Sequence, residues 1–454
     1  MRASAARRRP NVLVILPDDH QADAFGVVGH PVVQTPVLDA LARRGTRLSQ
    51  ATIQGGLNPA VCAPTRASLL TGLDFVRSNA SPSLEVPEGG HVTIPGERIL
   101  LPELFRTYGY ETFIAGKWHN DLNALRRGFE SGRAIFHGGM CDHERVPVRD
   151  LDEIRRGDPP RFVEGFSTEI FCDAMGQFLE ERDTRRPFFA WLALTSPHDP
   201  RTPPADIRCR YRDEAIPLPP NFRPEPAFDN GELDVRDEQL APKPLDPAVL
   251  RQHLGDYYGM ITHHDREIGR VLSVLERSGE LEDTIVVYIG DHGLALGRHG
   301  LLGKQNMYQH SITVPWIMAG PGVPEGVVVD TPVYALDLFS TLAELARLDW
   351  IEPVSSQSAV PLMRDPSCPG REYVCSVYRD CQRAVREGRW KLIEYFVDGR
   401  RRTELFDLEN DPHEMHDLSG EAGNACLLWR LRSAGVRWQA VVGDRWMPIS
   451  LETK

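Results

Sequence analysis

Ionisable side chains follow four short apolar runs of this chain, at the point where each run ends. The four clusters are Asp18-Asp19-His20, Gly116-Lys117-Trp118-His119, Ser196-Pro197-His198-Asp199 and Gly290-Asp291-His292-Gly293. Carboxylates are hard ligands for a divalent cation, imidazoles exchange protons near neutral pH, and ammonium groups stabilise developing negative charge. These residue types indicate acid–base chemistry on an anionic group beside a bound cation.

A fifth cluster, Cys62-Ala63-Pro64-Thr65-Arg66, comes just before a short helical pattern at residues 67–70 that Gly72 can end. The other seven cysteines are scattered, without the spacing of a zinc site. A domain of this size needs no disulfide bonds. A free cysteine taken alone is most often a small buried apolar residue. Cys62 is a candidate nucleophile because of Arg66 and the four clusters that accompany it.

The elements that must position these clusters alternate along the chain as short apolar runs and amphipathic helical patterns. This alternation predicts an α/β fold, with a large mixed sheet sandwiched by helices. Ligands of such sheets lie beyond the carboxyl ends of the strands, so the clusters are expected to meet at one edge. The proline-rich residues 200–247 predict an irregular excursion over the surface, a candidate lid.

The composition shifts near residues 349–366, which predicts a domain boundary. Residues 10–348 are expected to form the catalytic domain and residues 349–454 a smaller C-terminal α+β domain. The C-terminal part carries strand-like runs at residues 373–378, 390–396 and 404–408 and a final helical pattern near residues 427–436.

Composition excludes several classes of protein. The chain of 454 residues has 52 Lys+Arg against 64 Asp+Glu, a net charge of −12, which argues against nucleic-acid binding. No apolar run approaches the length of about 18 residues that a membrane helix needs. The basic start (Arg2, Arg7, Arg8, Arg9) precedes only a short apolar run at residues 12–16, too short for a secretion signal. A cytoplasmic protein is therefore expected, with a periplasmic or secreted protein as the alternative if the true start lies upstream. Oligomeric state leaves no signal in the sequence.

Cys62-x-Pro-x-Arg66, followed by a threonine-glycine pair, resembles the signature of the type I, formylglycine-dependent sulfatases of the alkaline-phosphatase-like superfamily. Other elements resemble that family in the same order along the chain. They are the first strand with paired acidic residues (11–20), the Gly-Lys-Trp-His element (116–119), a histidine-bearing strand end (196–198), an Asp-His-Gly to Gly-Lys stretch (290–304) and a C-terminal signature (405–412). The resemblance implies that superfamily's fold and a sulfuric-ester hydrolase.

The resemblance also implies how Cys62 would act. A formylglycine-generating enzyme, which recognises Pro64 and Arg66, would oxidise Cys62 to an aldehyde, and the hydrated aldehyde is the nucleophile. One of its hydroxyls takes the sulfuryl group, and the second then loses a proton and expels sulfate, which splits one hard step into two easier ones.

Carried over residue by residue, the family's catalytic set is Cys62, Arg66, Lys117, His119, His198, Asp291 and Lys304. His119 matches the base that deprotonates the second hydroxyl. His198 with Lys304 matches the acid that protonates the departing alcohol. Asp291 also matches the base that activates the attacking hydroxyl, and the cationic side chains would surround the sulfate.

The metal set that the resemblance implies is Asp18, Asp19, Cys62, Asp291 and His292. The implied ion is Ca²⁺, which would act as a Lewis acid on the sulfate. Many relatives carry asparagine where this chain has His292, and imidazole suits transition metals better than Ca²⁺. Mg²⁺ and Mn²⁺ therefore remain alternatives.

Two other functions stay open. A phosphonate monoester or phosphodiester hydrolase would use the same machinery, and its branch of the fold also carries Asp-His. A non-catalytic protein that binds sulfated ligands would keep the pocket without oxidising Cys62. A cysteine-dependent phosphatase is excluded, because its loop needs a longer spacing than the three residues between Cys62 and Arg66.

The expected partner is a small sulfated substrate. Residues 197–204 and 297–310 resemble bacterial family members that act on carbohydrate or choline sulfates, which favours a carbohydrate sulfate or choline sulfate here. Weaker candidates for a substrate subsite are Asp199, Arg201, His299, His310 and Arg379. His263 and His264 are adjacent in a helical pattern and point in different directions, so they are not expected to form a metal pair.

Overall fold

A computed structural model describes residues 9–85, 88–350 and 352–451 of the chain. Arg2, Arg7 and Arg8 of the basic start lie outside the described residues. The strands in chain order are β1 Asn11–Leu16, β2 Thr46–Leu48, β3 Ala51–Thr52, β4 Gly55–Gly56, β5 Glu111–Trp118, β6 Ser131–His137, β7 Arg145–Val148, β8 Arg161–Glu164, β9 Phe188–Ala193, β10 Thr284–Ile289, β11 Thr313–Val314, β12 Trp316–Ala319, β13 Val327–Val329, β14 Val333–Tyr334, β15 Val374–Tyr378, β16 Gln382–Glu387, β17 Trp390–Val397 and β18 Arg400–Asp407.

The α-helices begin at proline or polar capping residues in several cases, as at Pro36 and Asp246. In chain order they are α1 Pro36–Arg43, α2 Cys62–Thr71, α3 Leu101–Thr107, α4 Leu122–Gly128, α5 Leu151–Arg156, α6 Ser167–Glu181, α7 Ala205–Arg208, α8 Pro247–Arg277, α9 Gln309–Ile312, α10 Leu338–Ala346, α11 Val360–Arg364 and α12 Ala425–Val442. Among the described residues, none of these helices has the length and apolar composition needed to span a bilayer.

The large sheet has eight strands in the order β13-β2-β12-β10-β1-β9-β5-β6. The central strands run parallel, whereas β12 is antiparallel to both of its neighbours. Alternate residues of β1 face opposite cores: Val12 and Val14 pack with the cluster that includes α2, α3 and α10, and Leu13 and Ile15 with α1, α6 and α8. This helix–sheet–helix sandwich confirms the predicted fold class.

The carboxyl ends of β1, β5, β9 and β10 lie side by side at one edge of this sheet, and they carry the four polar clusters. One prediction was wrong in detail: β5 continues through Lys117 and Trp118 instead of ending before Gly116. Gly116 has φ +95°, and a β-carbon there would lie 1.9 Å from the Ala193 carbonyl oxygen. The strand register shifts between Ala115 and Gly116, and this bulge lets the strand carry Lys117 into the site.

A second sheet forms the C-terminal region, in the order β18-β17-β16-β15-β4. Helix α12 contacts β16 and β17, as expected for an α+β unit. Strand β16, which carries Arg383, Arg386 and Glu387, was not predicted. The sequence analysis also did not anticipate that β4, the strand Gly55–Gly56, joins this sheet by pairing parallel with β15. The boundary at residue 349 remains a prediction.

The proline-rich excursion at residues 200–247 is irregular, as predicted. Among its described residues it contains only the short helix α7 and the 3₁₀ turns Asp213–Ala215 and Arg236–Gln239. Its apolar residues Ile207, Tyr211 and Ile216 pack against the first half of α8. The excursion is therefore anchored to the sandwich by a small core of its own.

Candidate active site

Cys62 is the first residue of α2 and is 2% exposed. The sequence analysis placed the Cys-x-Pro-x-Arg motif before a helix, and this was wrong: the motif forms the first turn of α2 itself. Pro64 fits there because the first N–H groups of a helix have no acceptor within it, so a missing donor costs nothing. The helical turn directs Cys62 and Arg66, four residues apart, to the same side.

Two basic side chains contact the Cys62 thiol. The Nδ1 atom of His119 lies 3.1 Å from Cys62 Sγ, and the Lys117 ammonium lies 3.8 Å from it. Burial raises the pKa of this thiol, but Lys117 and His119 outweigh burial and bring the pKa well below its ordinary value. The site therefore favours negative charge at the position of Sγ.

Three buried carboxylates surround this position, and each pairs with a cation from a different segment. Lys117 donates to Asp18, and the Lys304 ammonium donates to Asp19 Oδ1 at 2.8 Å. Arg66 Nε donates to Asp291 Oδ2 at 2.9 Å. The backbone N–H of Asp19 also points to Asp291 Oδ1, at 3.4 Å, which joins the ends of β1 and β10.

The carboxylates differ in charge state because their neighbours differ. Burial raises the pKa of Asp18, but Lys117 and other cations outweigh it and bring this pKa well below its usual range. The pKa of Asp291 is raised, by burial and by the nearby charge of Asp18. Burial lowers the pKa of His292, but Asp291 outweighs this and raises it to about 9. The charged forms of Asp18 and of His292 are thus favoured by their neighbours, whereas the charged form of Asp291 is disfavoured.

The donor atoms in this cluster fit a divalent cation. One ligand atom each from Asp18, Cys62, Asp291 and His292 lies within 4.8 Å of the others, and Asp18, Asp19 and His198 form an overlapping group. Asp18 Oδ1 and His292 Nε2 are 3.5 Å apart, and both are buried without a hydrogen-bond partner among the described residues. Buried polar atoms are nearly always satisfied, so these two orphaned atoms mark a place for an ion.

The remaining predicted residues complete the same site. His198 Nε2 lies 3.9 Å from Asp19 Oδ2, and its Nδ1 faces the backbone carbonyl of Asp199 at 2.8 Å. Lys304 reaches both Asp19 and Asp237, the latter at 3.9 Å. All seven residues of the catalytic set and all five of the metal set therefore come together at one edge of the sheet.

The structure adds residues that the sequence analysis missed. Tyr257, on α8, donates its hydroxyl to the Asp19 carbonyl at 2.7 Å. Arg236, in the excursion, pairs with Asp199 and with Asp237 at 2.8 Å, next to His198 and Lys304. Both residues lie in stretches whose patterns indicate only a helix or a loop. No local signal could have found them, because their roles depend on how the chain packs.

A buried hydrogen-bonded chain lies behind the site. His20 Nδ1 faces the Tyr288 hydroxyl at 2.5 Å, Tyr288 faces His264 Nε2 at 3.0 Å, and His264 Nδ1 faces Ser196 Oγ at 3.3 Å. These hydrogen bonds connect the segment after β1 with the segment after β9, by way of Tyr288 on β10 and His264 on α8. They thereby fix the backbone that carries Asp18, Asp19 and His198.

The weaker candidates mostly lie elsewhere. His263 turns away from His264, as predicted, and faces Glu169 at 3.1 Å. His299 and His310 stack against Tyr308, and Arg379 pairs with Glu232 at 3.2 Å. The Arg201 guanidinium lies over the ring of Tyr257, 5.9 Å from its centroid. Of this group, Asp199 alone directly adjoins the catalytic set, through His198.

Two family models match overlapping parts of this chain. The family model named Sulfatase matches residues 10–348, and the model for the C-terminal region of N-sulphoglucosamine sulphohydrolase matches residues 297–437. An ulvan-active sulfatase of Formosa agariphila is 28% identical, over 91% of this chain and 78% of that protein. A choline-sulfatase of Rhizobium meliloti is 27% identical, over 90% of this chain and 82% of that protein.

Solved structures share the fold. BT4656, solved with its substrate D-glucosamine-2-N,6-O-disulfate, superposes with a TM-score of 0.82 at 23% identity, covering 98% of this chain and 100% of that one. The phosphonate monoester hydrolase of Agrobacterium radiobacter superposes with a TM-score of 0.75 at 20% identity, covering 96% of each chain. With the family model spanning most of the chain and the motif residues gathered at one sheet edge, this protein belongs to the sulfatase family.

Proposed function

We propose that this protein hydrolyses the sulfuric esters of small molecules, with an aldehyde made from Cys62 as nucleophile. The observation that supports the proposal is the placement of Cys62. Its Sγ lies 3.1 Å from His119 Nδ1, and the same atom belongs to the group of possible metal ligands with Asp18, Asp291 and His292. A merely structural cysteine would instead lie among apolar side chains, as Cys172 does in α6.

The side chains around Cys62 suit the two proton transfers that ester hydrolysis requires. The hydrate of the aldehyde supplies one hydroxyl that takes the sulfuryl group as the alcohol leaves, and a second whose deprotonation expels sulfate. His198 and Lys304 lie together against Asp19 and can donate a proton to the departing alcohol oxygen. His119 lies against Cys62, where it can accept the proton of the second hydroxyl.

Asp18, Asp19, Asp291 and His292 would hold the divalent cation, which we propose to be Ca²⁺. When bound, the ion supplies Lewis-acid polarisation of a sulfate oxygen. Arg66 and Lys117 remain on the side of Cys62 and can neutralise the other oxygens as charge develops. His292 is a nitrogen ligand, so Mg²⁺ and Mn²⁺ are the alternatives that a metal titration must include.

We propose a carbohydrate sulfate or choline sulfate as the substrate. This rests on the relatives, whose printed names include ulvan-active sulfatase, N-acetylglucosamine-6-O-sulfatase and choline-sulfatase. Specificity in a shared fold depends on the residues around the reacting group. Here the 3₁₀ turn Arg236–Gln239 borders the site and is the first place to look for contacts to the substrate's alcohol portion.

Two measurements test the proposal. Mass spectrometry of the peptide that contains Cys62, from protein made in its native host, is expected to show the aldehyde. Sulfate release is then measured from sulfated mono- and disaccharides, choline sulfate and an aryl sulfate, with a phosphonate monoester for comparison. Cys62→Ala is expected to lose activity by more than about 10⁴-fold, because the covalent route disappears.

The matched control is Cys172→Ala, which removes a buried thiol in α6, outside the site. It is expected to retain activity. Equal activity of Cys62→Ala and the unchanged protein would disprove the nucleophile. An unmodified thiol in all native material would disprove the aldehyde, and a higher specificity constant on the phosphonate would replace the sulfatase proposal with its alternative.

A further inference from the structure

The loop between β6 and β7, residues 138–144, contacts the catalytic set at three points. The Gly139 carbonyl accepts a hydrogen bond from the Lys117 ammonium at 2.6 Å. Gly139 also packs closely against His119, because a β-carbon at this glycine would lie 2.8 Å from the imidazole Cε1 atom. The third contact is made by His143, whose side chain is buried and has no part in the proposed mechanism.

His143 binds the backbone of the proposed proton donor, His198. The Nε2 atom of His143 lies 2.9 Å from the His198 carbonyl oxygen. A carbonyl oxygen can only accept a hydrogen bond, so Nε2 carries the proton and is the donor. No other donor in the described part of the chain reaches this oxygen. His143 is therefore the side chain that fixes the peptide group after His198.

The other ring nitrogen of His143 is held as well. Its Nδ1 atom lies 2.8 Å from Ser167 Oγ, at the start of α6, and Thr195 Oγ1 donates to the same Ser167 oxygen at 2.8 Å. Burial lowers the pKa of His143 to about 4, so the imidazole is neutral near pH 7 and Nδ1 accepts the Ser167 hydrogen. The hydrogen bonds thus run in one direction, from Thr195 through Ser167 and His143 to the His198 carbonyl.

We propose that His143 is a positioning residue that holds His198 where its imidazole can protonate the departing alcohol. The His198 Nε2 atom is 3.9 Å from Asp19 Oδ2, beyond hydrogen-bond distance, so the placement of this ring depends on its backbone. A misplacement of about 1 Å can cost about 10²-fold in rate. The inference rests on the proposed function, because it concerns the step in which the alcohol leaves.

Two variants separate the contacts of the two ring nitrogens. In His143→Asn the short amide can accept from Ser167 in place of Nδ1 but does not reach His198. In His143→Gln the longer amide can donate to the His198 carbonyl in place of Nε2. A positioning role through His198 therefore predicts loss of function in the asparagine variant and rescue in the glutamine variant.

The measurement compares kcat/KM for phenyl sulfate and 4-nitrophenyl sulfate, two esters of similar shape. Phenolate is the poorer leaving group, so its ester gains more from a proton donor. We expect His143→Asn to lower kcat/KM by about tenfold or more for phenyl sulfate and by at most about threefold for 4-nitrophenyl sulfate. His143→Gln is expected to stay within about threefold of the unchanged protein on both esters.

The matched control is His263→Asn. His143 and His263 are each 3% exposed, and His263 faces Glu169 at 3.1 Å, outside the site. This control is expected to leave the ratio of the two kcat/KM values unchanged. Equal losses on both esters in His143→Asn, a selective loss on phenyl sulfate in His143→Gln, or the same ratio in His143→Asn and the control would each overturn the inference.

A crystal structure of His143→Asn is a second measurement, and it needs no activity. The turn that carries His198 is expected to be displaced in this variant and in place in His143→Gln. An unmoved His198 in His143→Asn would overturn the inference whatever ester the protein hydrolyses. Failure of the unchanged protein on every sulfate ester would instead disprove the proposed function, and the catalytic role of His143 with it.

Discussion

Two regions of this molecule bury charged pairs, and they differ in how completely those pairs are satisfied. In the C-terminal region Arg383 and Asp444 form a two-pronged ion pair, with distances of 2.7 and 2.9 Å. Every polar side-chain atom of that pair has a partner within the described structure. At the active site Lys117 and Asp18 are equally buried, but Asp18 Oδ1, Arg66 Nη2 and His292 Nε2 have no hydrogen-bond partner among the described residues.

The comparison shows that buried charge alone does not mark a functional site. Arg383 and Asp444 form a pair of one cation and one anion. Removing this pair would only weaken the fold. The active-site cluster gathers charges from four strand ends, and the protein leaves part of their bonding capacity for an ion and a substrate. In this protein, buried polar atoms without hydrogen-bond partners distinguish the active site from a buried ion pair that only stabilises the fold.

The sharpest test of this difference is Asp291→Asn. We expect sulfate release to fall by about 10³-fold, because the cation and Arg66 both lose a charged partner. The pKa of Asp291 is raised, so the fold disfavours its charge. Arg66 keeps Asp18 as a second buried carboxylate, 3.6 Å from its Nη2. The free energy of unfolding of metal-stripped protein should therefore fall less than in Asp444→Asn, as urea titration would show. A marked loss of stability would mean that the cluster is structural.

Asp444→Asn is expected to do the opposite. Removing one member of a buried pair leaves Arg383 without its counter-charge and should cost about 3–5 kcal/mol of unfolding free energy. The rate of sulfate release per folded molecule should not change, because Asp444 is not among the residues that line the site. A fall in that rate at full folding would break the distinction between the two regions.

Tyr288→Phe tests the hydrogen-bonded chain behind the site. The change leaves one nitrogen of His20 and one of His264 buried without this partner, and should destabilise the protein by about 1–3 kcal/mol. A double-mutant cycle with His264→Asn should show coupling between the two positions. Strict additivity of the two losses in unfolding free energy would mean that the chain does not act as a unit.

Asp265 provides an intermediate case, a buried carboxylate that forms no ion pair with a described residue. It accepts hydrogen bonds from the N–H groups of Val37 and Leu38 at the start of α1, and burial raises its pKa to about 7. The folded protein thus keeps a proton that the unfolded chain has released. Stability should fall as pH rises from about 4 to about 7, by at most about 1.4 kcal/mol per unit.

Asp265→Asn should remove this contribution to the pH dependence, and thermal or urea unfolding across that pH range measures it. The informative quantity is the difference between the two proteins, because other groups titrate in the same range. Parallel curves for the variant and the unchanged protein would show that Asp265 is ionised in both states.

The sequence predicted which residues meet at the centre of the site, because the end of a strand can be recognised from the few residues around it. An apolar run followed by Asp18 and Asp19, or by Asp291 and His292, indicates where a strand stops and which chemistry follows. The sulfatase resemblance supplied roles that spacing alone could not. The family is confirmed by the match to residues 10–348, whereas the individual roles remain predictions.

The errors also have physical reasons. The Cys62 motif was placed before a helix, whereas Pro64 is tolerated in the first turn, so the helix already begins at Cys62. Strand β16 was missed because its charged residues interrupt the apolar pattern, and the ion pair with Asp444 that buries Arg383 leaves no local signal. Arg236 lies in a loop that gains its role only through tertiary packing.

The short strand β4, immediately upstream of Cys62, finds its neighbour β15 only in the distal part of the polypeptide. Protein synthesis proceeds from the N-terminus. In a nascent chain that has not reached Val377, β4 therefore has no β15 to pair with. Any enzyme that modifies Cys62 would have that interval in which to act. Ribosome-bound chains that stop short of β15 should leave the thiol open to alkylation, and released full-length chains should protect it.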